Sequence, residues 1–280
     1  NYDVSMGYYA GNTTGTQGTF AVSIGIQANS GTSDIGANSV AVGYLAKSRG
    51  AQAVAVGRGT EAIYNSVAMG YFAKATANST VAIGPVSKAE GIASLAIGDT
   101  AKAIAQQDIA IGNQTGNTTG TSQNSAISIG TSANSGTTNI GRQGIAIGNS
   151  AKSEGSEGIA IGGVNASAQG LASIAIGSGC TAAAEGSGVI STTNQTTAGS
   201  ITNSVANSFV IHTLDTTPDF GIRAGVAEIR EYTVATLPTA ANSRAGLSGM
   251  IVVTDEIGGR TIATSDGTNW RRVSDGAIVA

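Results

Sequence analysis

Over most of the chain, apolar and polar residues alternate in one recurring phrase: bulky, small, bulky, glycine. It runs from a degenerate copy, Asp3-Val4-Ser5-Met6-Gly7, through Ala53-Val54-Ala55-Val56-Gly57 to Ser173-Ile174-Ala175-Ile176-Gly177. The closing glycines fall at 7, 25, 43, 57, 70, 84, 98, 112, 130, 148, 162 and 177, so their separations are 18, 18, 14, 13, 14, 14, 14, 18, 18, 14 and 15. A near-constant period predicts an array of stacked units. Period-two alternation puts both bulky residues on one face of a strand and the small one on the other. Valine and isoleucine suit a pleated surface, and the glycine permits a turn with positive φ or a close backbone approach. A weaker run follows in most units, as in Ala101-Lys102-Ala103, and predicts a second short strand. Two strands and two turns per unit describe one flat coil of a parallel β-solenoid. Twelve coils at ~4.8 Å each make a rod of roughly 60 Å.

A coil this thin has room inside only for small side chains, which leaves its valines and isoleucines pointing outward. An outward apolar stripe repeated a dozen times marks an interface. The expectation is that copies of the same chain cover it around a common axis. The seam residues are Val22, Ile24, Val40, Val42, Val81, Ile83, Ile109, Ile111, Ile145, Ile147, Ile159, Ile161, Ile174 and Ile176.

The long units come as two pairs offset by 105 residues. Gly11-Asn12-Thr13-Thr14-Gly15-Thr16 matches Gly116-Asn117-Thr118-Thr119-Gly120-Thr121, and Ala28-Asn29-Ser30-Gly31-Thr32 matches Ala133-Asn134-Ser135-Gly136-Thr137. The array therefore reads as internally duplicated. Its longer loops are expected on one outer edge at two heights, as contact sites or as solvated insertions.

The repeats are assigned to residues 1–192. Residues 193–225 lose the period and read as a connector with one short strand, Ser208-Phe209-Val210-Ile211-His212. Residues 226–280 read as a small antiparallel β module. Its predicted strands are Ala227 to Val234, Met250 to Thr254, Arg260 to Thr264 and Thr268 to Val273, with turns at 255–259 and 265–267. Trp270 is read as a packing residue. Trp270, Arg271, Arg272, Asn269 and Arg260 are also the candidate receptor contacts of this module.

Composition narrows the choices. The 280 residues include 41 glycines, 4% aromatics and 11% charged residues, with a formal net charge of −3. Leucine heptads for a coiled coil are lacking, and no basic patch suggests nucleic acid. No apolar run is long enough for a membrane helix. The start at Asn1 shows no secretory leader and reads as a processing boundary with an upstream region to be expected. Cys180, the single cysteine, reads as a small turn residue. With one histidine, His212, neither a zinc site nor a Ser-His-Asp triad is indicated. Gly177-Ser178-Gly179-Cys180-Thr181-Ala182 mimics a dinucleotide fingerprint, but no βαβ unit surrounds it, and it reads as a repeat junction. No cofactor, metal or enzymatic activity is expected.

The Ser-Val-Ala-Ile-Gly-like phrases, each followed by an Ala-x-Ala-x-Gly-like segment, resemble the head of the YadA-type trimeric autotransporter adhesins over residues 1–192. The resemblance implies a left-handed parallel β-roll and three chains around one axis, with the bulky positions at their interface. The 18-residue units depart from the commonest repeat length. Thr236-Leu237-Pro238-Thr239-Ala240, Gly249 to Glu256 and Ser265 to Val273 resemble instead a short C-terminal module of phage and prophage tail fibres. Together these resemblances imply a homotrimeric virion fibre that binds a bacterial surface receptor (a glycan or an outer-membrane protein) and joins upstream virion proteins. A bacterial surface adhesin is the alternative. A structural spike clamped by its C-terminal module is a further one.

Overall fold

The computed structural model describes residues 3–11, 19–31, 35–116, 121–122, 124–137, 139–191, 201–212, 220–223, 226–229, 231–237, 250–254, 259–266 and 268–279. It is an all-β parallel solenoid of about twelve turns followed by a small C-terminal sheet. The bulky-small-bulky phrases form three-residue strands such as Val40–Val42, Val54–Val56 and Leu95–Ile97. These pair in parallel, equivalent residue on equivalent residue, as in Val40↔Val54, Ala41↔Ala55 and Val42↔Val56. They build one face of the rod within a 16-stranded sheet. The weaker runs form two-residue strands, Lys47–Ser48, Glu61–Ala62, Lys74–Ala75, Lys88–Ala89 and Lys102–Ala103, stacked in a five-stranded sheet.

The interior is a set of columns of small residues. Ala41, Ala55, Ala68, Ala82, Ala96 and Ala110 are buried in one, and Ala62, Ala75, Ala89 and Ala103 in another. Alternation puts the alanine inward and the bulky neighbours outward, which the half-buried, buried, half-buried pattern of most first-sheet strands records. The closing glycines stack one coil on the next. Gly84 has φ +120°, and a Cβ there would lie 2.5 Å from the carbonyl oxygen of Gly98. An L side chain at this position meets backbone above it as well as an unfavourable φ. The 15-residue unit is absorbed as a β-bulge: pairing between Ile145–Asn149 and Ile159–Val164 shifts by one residue after Ile147.

The long coils interrupt the second sheet, which resumes at Lys152–Ser153 as a separate four-stranded sheet. Each resumed edge is met by an asparagine turned into the core. Asn29 Oδ1 accepts a hydrogen bond from the Ser48 N–H at 2.7 Å, and Asn134 Oδ1 accepts from the Ser153 N–H at 2.7 Å. Their amide groups donate to Ser23 Oγ at 2.9 Å and to Ser128 Oγ at 2.8 Å. Both asparagines adopt positive φ, 54° and 53°, a conformation that asparagine tolerates better than most residues. The side-chain amide thus stands in for the backbone acceptor that a strand at this position of the coil below would present; the long coils of the second copy carry their own strands, Thr121–Ser122 and Asn139–Ile140, paired with each other. Asp3 and Asp108, also 105 residues apart, do similar work: Oδ1 of each accepts the N–H of Ala21 (2.9 Å) or Ala126 (3.0 Å) in the following coil. The long units are therefore not outer-edge loops alone, because Ala28, Asn29, Ile35 and their duplicates Ala133, Asn134 and Ile140 are buried in the core. The remaining residues of those loops, at 12–18, 32–34, 117–120, 123 and 138, lie outside the described residues.

Parallel stacking continues beyond residue 192. Ile201–Asn203 pairs with Cys180–Ala182, and Ser208–His212 pairs with Gly188–Ser191. Two antiparallel strands, Phe220–Arg223 and Val226–Ile229, then extend the large sheet. The strand predicted from Ala227 to Val234 divides between two sheets, since Glu231–Tyr232 pairs in parallel with Val252–Val253 of the C-terminal sheet. That sheet is accordingly mixed, not purely antiparallel: Met250–Val253, Thr261–Ser265 and Trp270–Arg272 form its antiparallel part. The long segment between Tyr232 and Met250 allows the crossover that a parallel pair needs. Residues 255–258 of the predicted turn at 255–259, and Gly267 of the one at 265–267, lie outside the described residues.

Candidate functional site

None of the fourteen seam residues named above is buried in the protomer, and all lie on strands of the large sheet. Ile147, Ile161, Ile174 and Ile176 reach 36–37% exposure. Each stacks on its equivalent in the next coil, as in Ile109↔Ile127 and Ile111↔Ile129. One protomer by itself leaves this row of branched aliphatics half in water.

A second apolar column lies immediately past the closing glycines of the N-terminal coils. The residue after the glycine is Tyr8, Ile26, Tyr44, Arg58 and Tyr71 in turn, and Tyr8, Ile26, Tyr44 and Tyr71 are 67%, 51%, 42% and 49% exposed. The Arg58 guanidinium carbon sits 5.5 Å from the Tyr44 ring centroid and 5.6 Å from that of Tyr71, within cation–π range of both. Tyr71 meets Phe72 edge to face at 4.6 Å. Sequence reasoning missed this column. Reading a single position after each glycine down the repeats would have found it.

In the C-terminal sheet, Trp270 belongs to a core with Ile251, Val253, Ala263 and Val279. At 8% exposure it packs the module and offers a receptor almost no surface. The remaining candidate contacts sit near the surface with partners of their own. Arg271 is paired with Asp266, whose Oδ1 also accepts the N–H groups of Thr268 (2.9 Å) and Asn269 (2.8 Å). The Asn269 and Thr268 amides and the Arg271 guanidinium hold the Asp266 carboxyl down to about 2. Arg272 spans both carboxylate oxygens of Asp275, at 3.1 and 2.9 Å, and Arg260 is paired with Glu231. These charges brace turns and strand ends as well as facing solvent.

Cys180 begins a strand in an interior column and is fully buried, so it is a core residue rather than a turn residue. Burial pushes its thiol up to about 11. Among the described residues no group of three or more His, Cys, Asp or Glu could hold a metal ion. None of their helices is long and apolar enough to cross a membrane.

Five segments, residues 35–60, 64–87, 89–115, 140–163 and 163–179, match the model of the YadA head domain repeat. The repeats are YadA-head-like. All five segments lie in the solenoid, and the gap at 116–139 takes in half of the 18-residue coil that carries Asn134. No curated protein matches the chain.

Proposed function

We propose that the chain is the head of a homotrimeric, YadA-like adhesin displayed on a bacterial surface, where it attaches the cell to other surfaces. The observation that carries this reading is the half-exposed seam, mostly valine and isoleucine, on coils of which many match the YadA head repeat. Three protomers side by side would hide the seam, and three equivalent receptor surfaces would add avidity. Sedimentation of the purified chain tests the assembly, with a mass of three chains expected and a stable monomer overturning it. Adhesion of cells displaying the chain, against cells without it, tests the activity.

The compact C-terminal module favours a second reading, a trimeric virion fibre with this module as its receptor-binding tip. There Asn269 and the solvent edges of Arg260, Arg271 and Arg272 would meet a glycan or an outer-membrane protein, while Trp270 keeps the module folded. Replacing Arg260 with glutamate and Asn269 with alanine separates the two readings. The fibre reading expects loss of adsorption to bacteria, and the adhesin reading expects attachment through the rod to persist.

A further inference from the structure

The 105-residue duplication allows one surface to be compared with itself. The framework recurs: Asp3 and Asp108, Asn29 and Asn134, and Ser48 and Ser153 occupy the same positions with the same hydrogen bonds or the same burial. The column after the glycines does not recur. Tyr8, Ile26 and Tyr44 correspond to Asn113, Thr131 and Asn149. The fold is therefore built equally well with polar residues there, and folding alone does not call for the aromatics.

The seam changes as well, at part of its length. Val22, Val40, Val42, Val54 and Val56 correspond to Ile127, Ile145, Ile147, Ile159 and Ile161, one methylene smaller in the N-terminal copy, while Ile24 matches Ile129 and Met6 stands where Ile111 does. The column also adjoins the seam in sequence: Ile26 follows Ile24, and Tyr44 follows Val42, across a single glycine. Val42-Gly43-Tyr44 against Ile147-Gly148-Asn149 sets a smaller seam residue beside a large column residue and a larger one beside a polar residue, the pattern of compensation within one contact.

We infer that Tyr8, Ile26, Tyr44 and Tyr71 are covered by a second copy of this chain, and that in the N-terminal half they carry contact that isoleucine methylenes carry in the other half. This rests on the homotrimeric reading above. Aromatic residues and arginine are the side chains that concentrate energy at protein interfaces, and Arg58 between two rings fits that composition.

The test is a full-length variant with Tyr8→Asn, Ile26→Thr and Tyr44→Asn, residues the molecule already uses at the duplicate positions. Its assembly is followed by sedimentation over a dilution series, with circular dichroism reporting the fold. The expected result is dissociation at a concentration at least about tenfold higher than for the wild type. Adding Val22→Ile, Val40→Ile and Val42→Ile to that variant should recover the loss, and Tyr44→Phe alone should leave assembly unchanged. If the variant dissociates at the wild-type concentration, the inference is overturned. It is overturned as well if assembly holds but adhesion is lost, which would assign the column to a receptor. A wild-type chain that sediments as a monomer overturns the trimeric reading instead.

Discussion

The solenoid and the C-terminal module reach stability by opposite routes. The solenoid buries little besides alanine, serine and threonine in its regular coils, and its strength is repetition: each small residue sits on its equivalent and each glycine on the next glycine. The module has only a few short strands, and it is organised by one large ring, Trp270, packed with Ile251, Val253, Ala263 and Val279. Space is the difference. In the rod an added methyl has nowhere to go, whereas in the module a removed side chain leaves a hole.

This contrast can be broken most severely at Gly84. Gly84→Ala sets a Cβ against the Gly98 carbonyl and forces an L residue to φ +120°, so a loss of about 4 kcal/mol or more is expected in thermal or denaturant unfolding of the rod. Trp270→Ala is the matching lesion in the module. It should cost about 3 kcal/mol, confined to the module's own transition while the rod melts as before. An equal shift of both transitions would show that the two regions are one cooperative unit. Asn134→Ala removes the acceptor of the buried Ser153 N–H and should cost about 2 kcal/mol, with Asn134→Asp or Asn134→Ser recovering part of it.

The smaller effects sharpen the comparison. Ser94 Oγ is buried in the rod with no hydrogen-bond partner, so Ser94→Ala should raise stability by about 1 kcal/mol. In the module, Asp266 is held down to about 2 from the ordinary 3.8. Its folded form favours the carboxylate, so its contribution is complete above pH ~3.8 and is lost as pH falls through about 2. An acid titration of the module's melting temperature should show this loss, and Asp266→Asn should abolish it. The effect is small because the group is exposed.

Much of the solenoid could be read before any coordinates. The alternation Val-Ala-Val-Gly states which residue points inward, and the glycine spacing states how many coils there are. The end of the rod was harder to read. Ile201–Asn203 and Ser208–His212 add to the stack with no closing glycine, because pairing of backbone to backbone needs no particular side chain. Cys180 reads as a turn residue because it follows Gly179, although it occupies the interior column that alanine fills in other coils. Asn29 and Asn134 were visible only as part of a repeated phrase. Their role depends on which backbone acceptor is absent below Ser48 and Ser153, and a linear string does not display that.

The candidate surfaces divide the same way. The Val/Ile seam follows from period two alone. The aromatic column came to light when residues 13–18 positions apart were brought within one coil of each other, placing Arg58 between Tyr44 and Tyr71. Trp270 already reads as a packing residue in the sequence, but its partners Ile251, Val253, Ala263 and Val279, and the pairing of Arg260, Arg271 and Arg272 with carboxylates, needed the folded module.

By itself, then, the sequence determined the β-coil, its period, the inward alanines and the outward seam, since each is set by neighbours within a single repeat. Only the tertiary structure decided how the interrupted second sheet is capped, which side chains share a column, and which C-terminal charges are already paired. Those properties belong to residues far apart in the chain, and it is stacking, not local alternation, that brings them into contact.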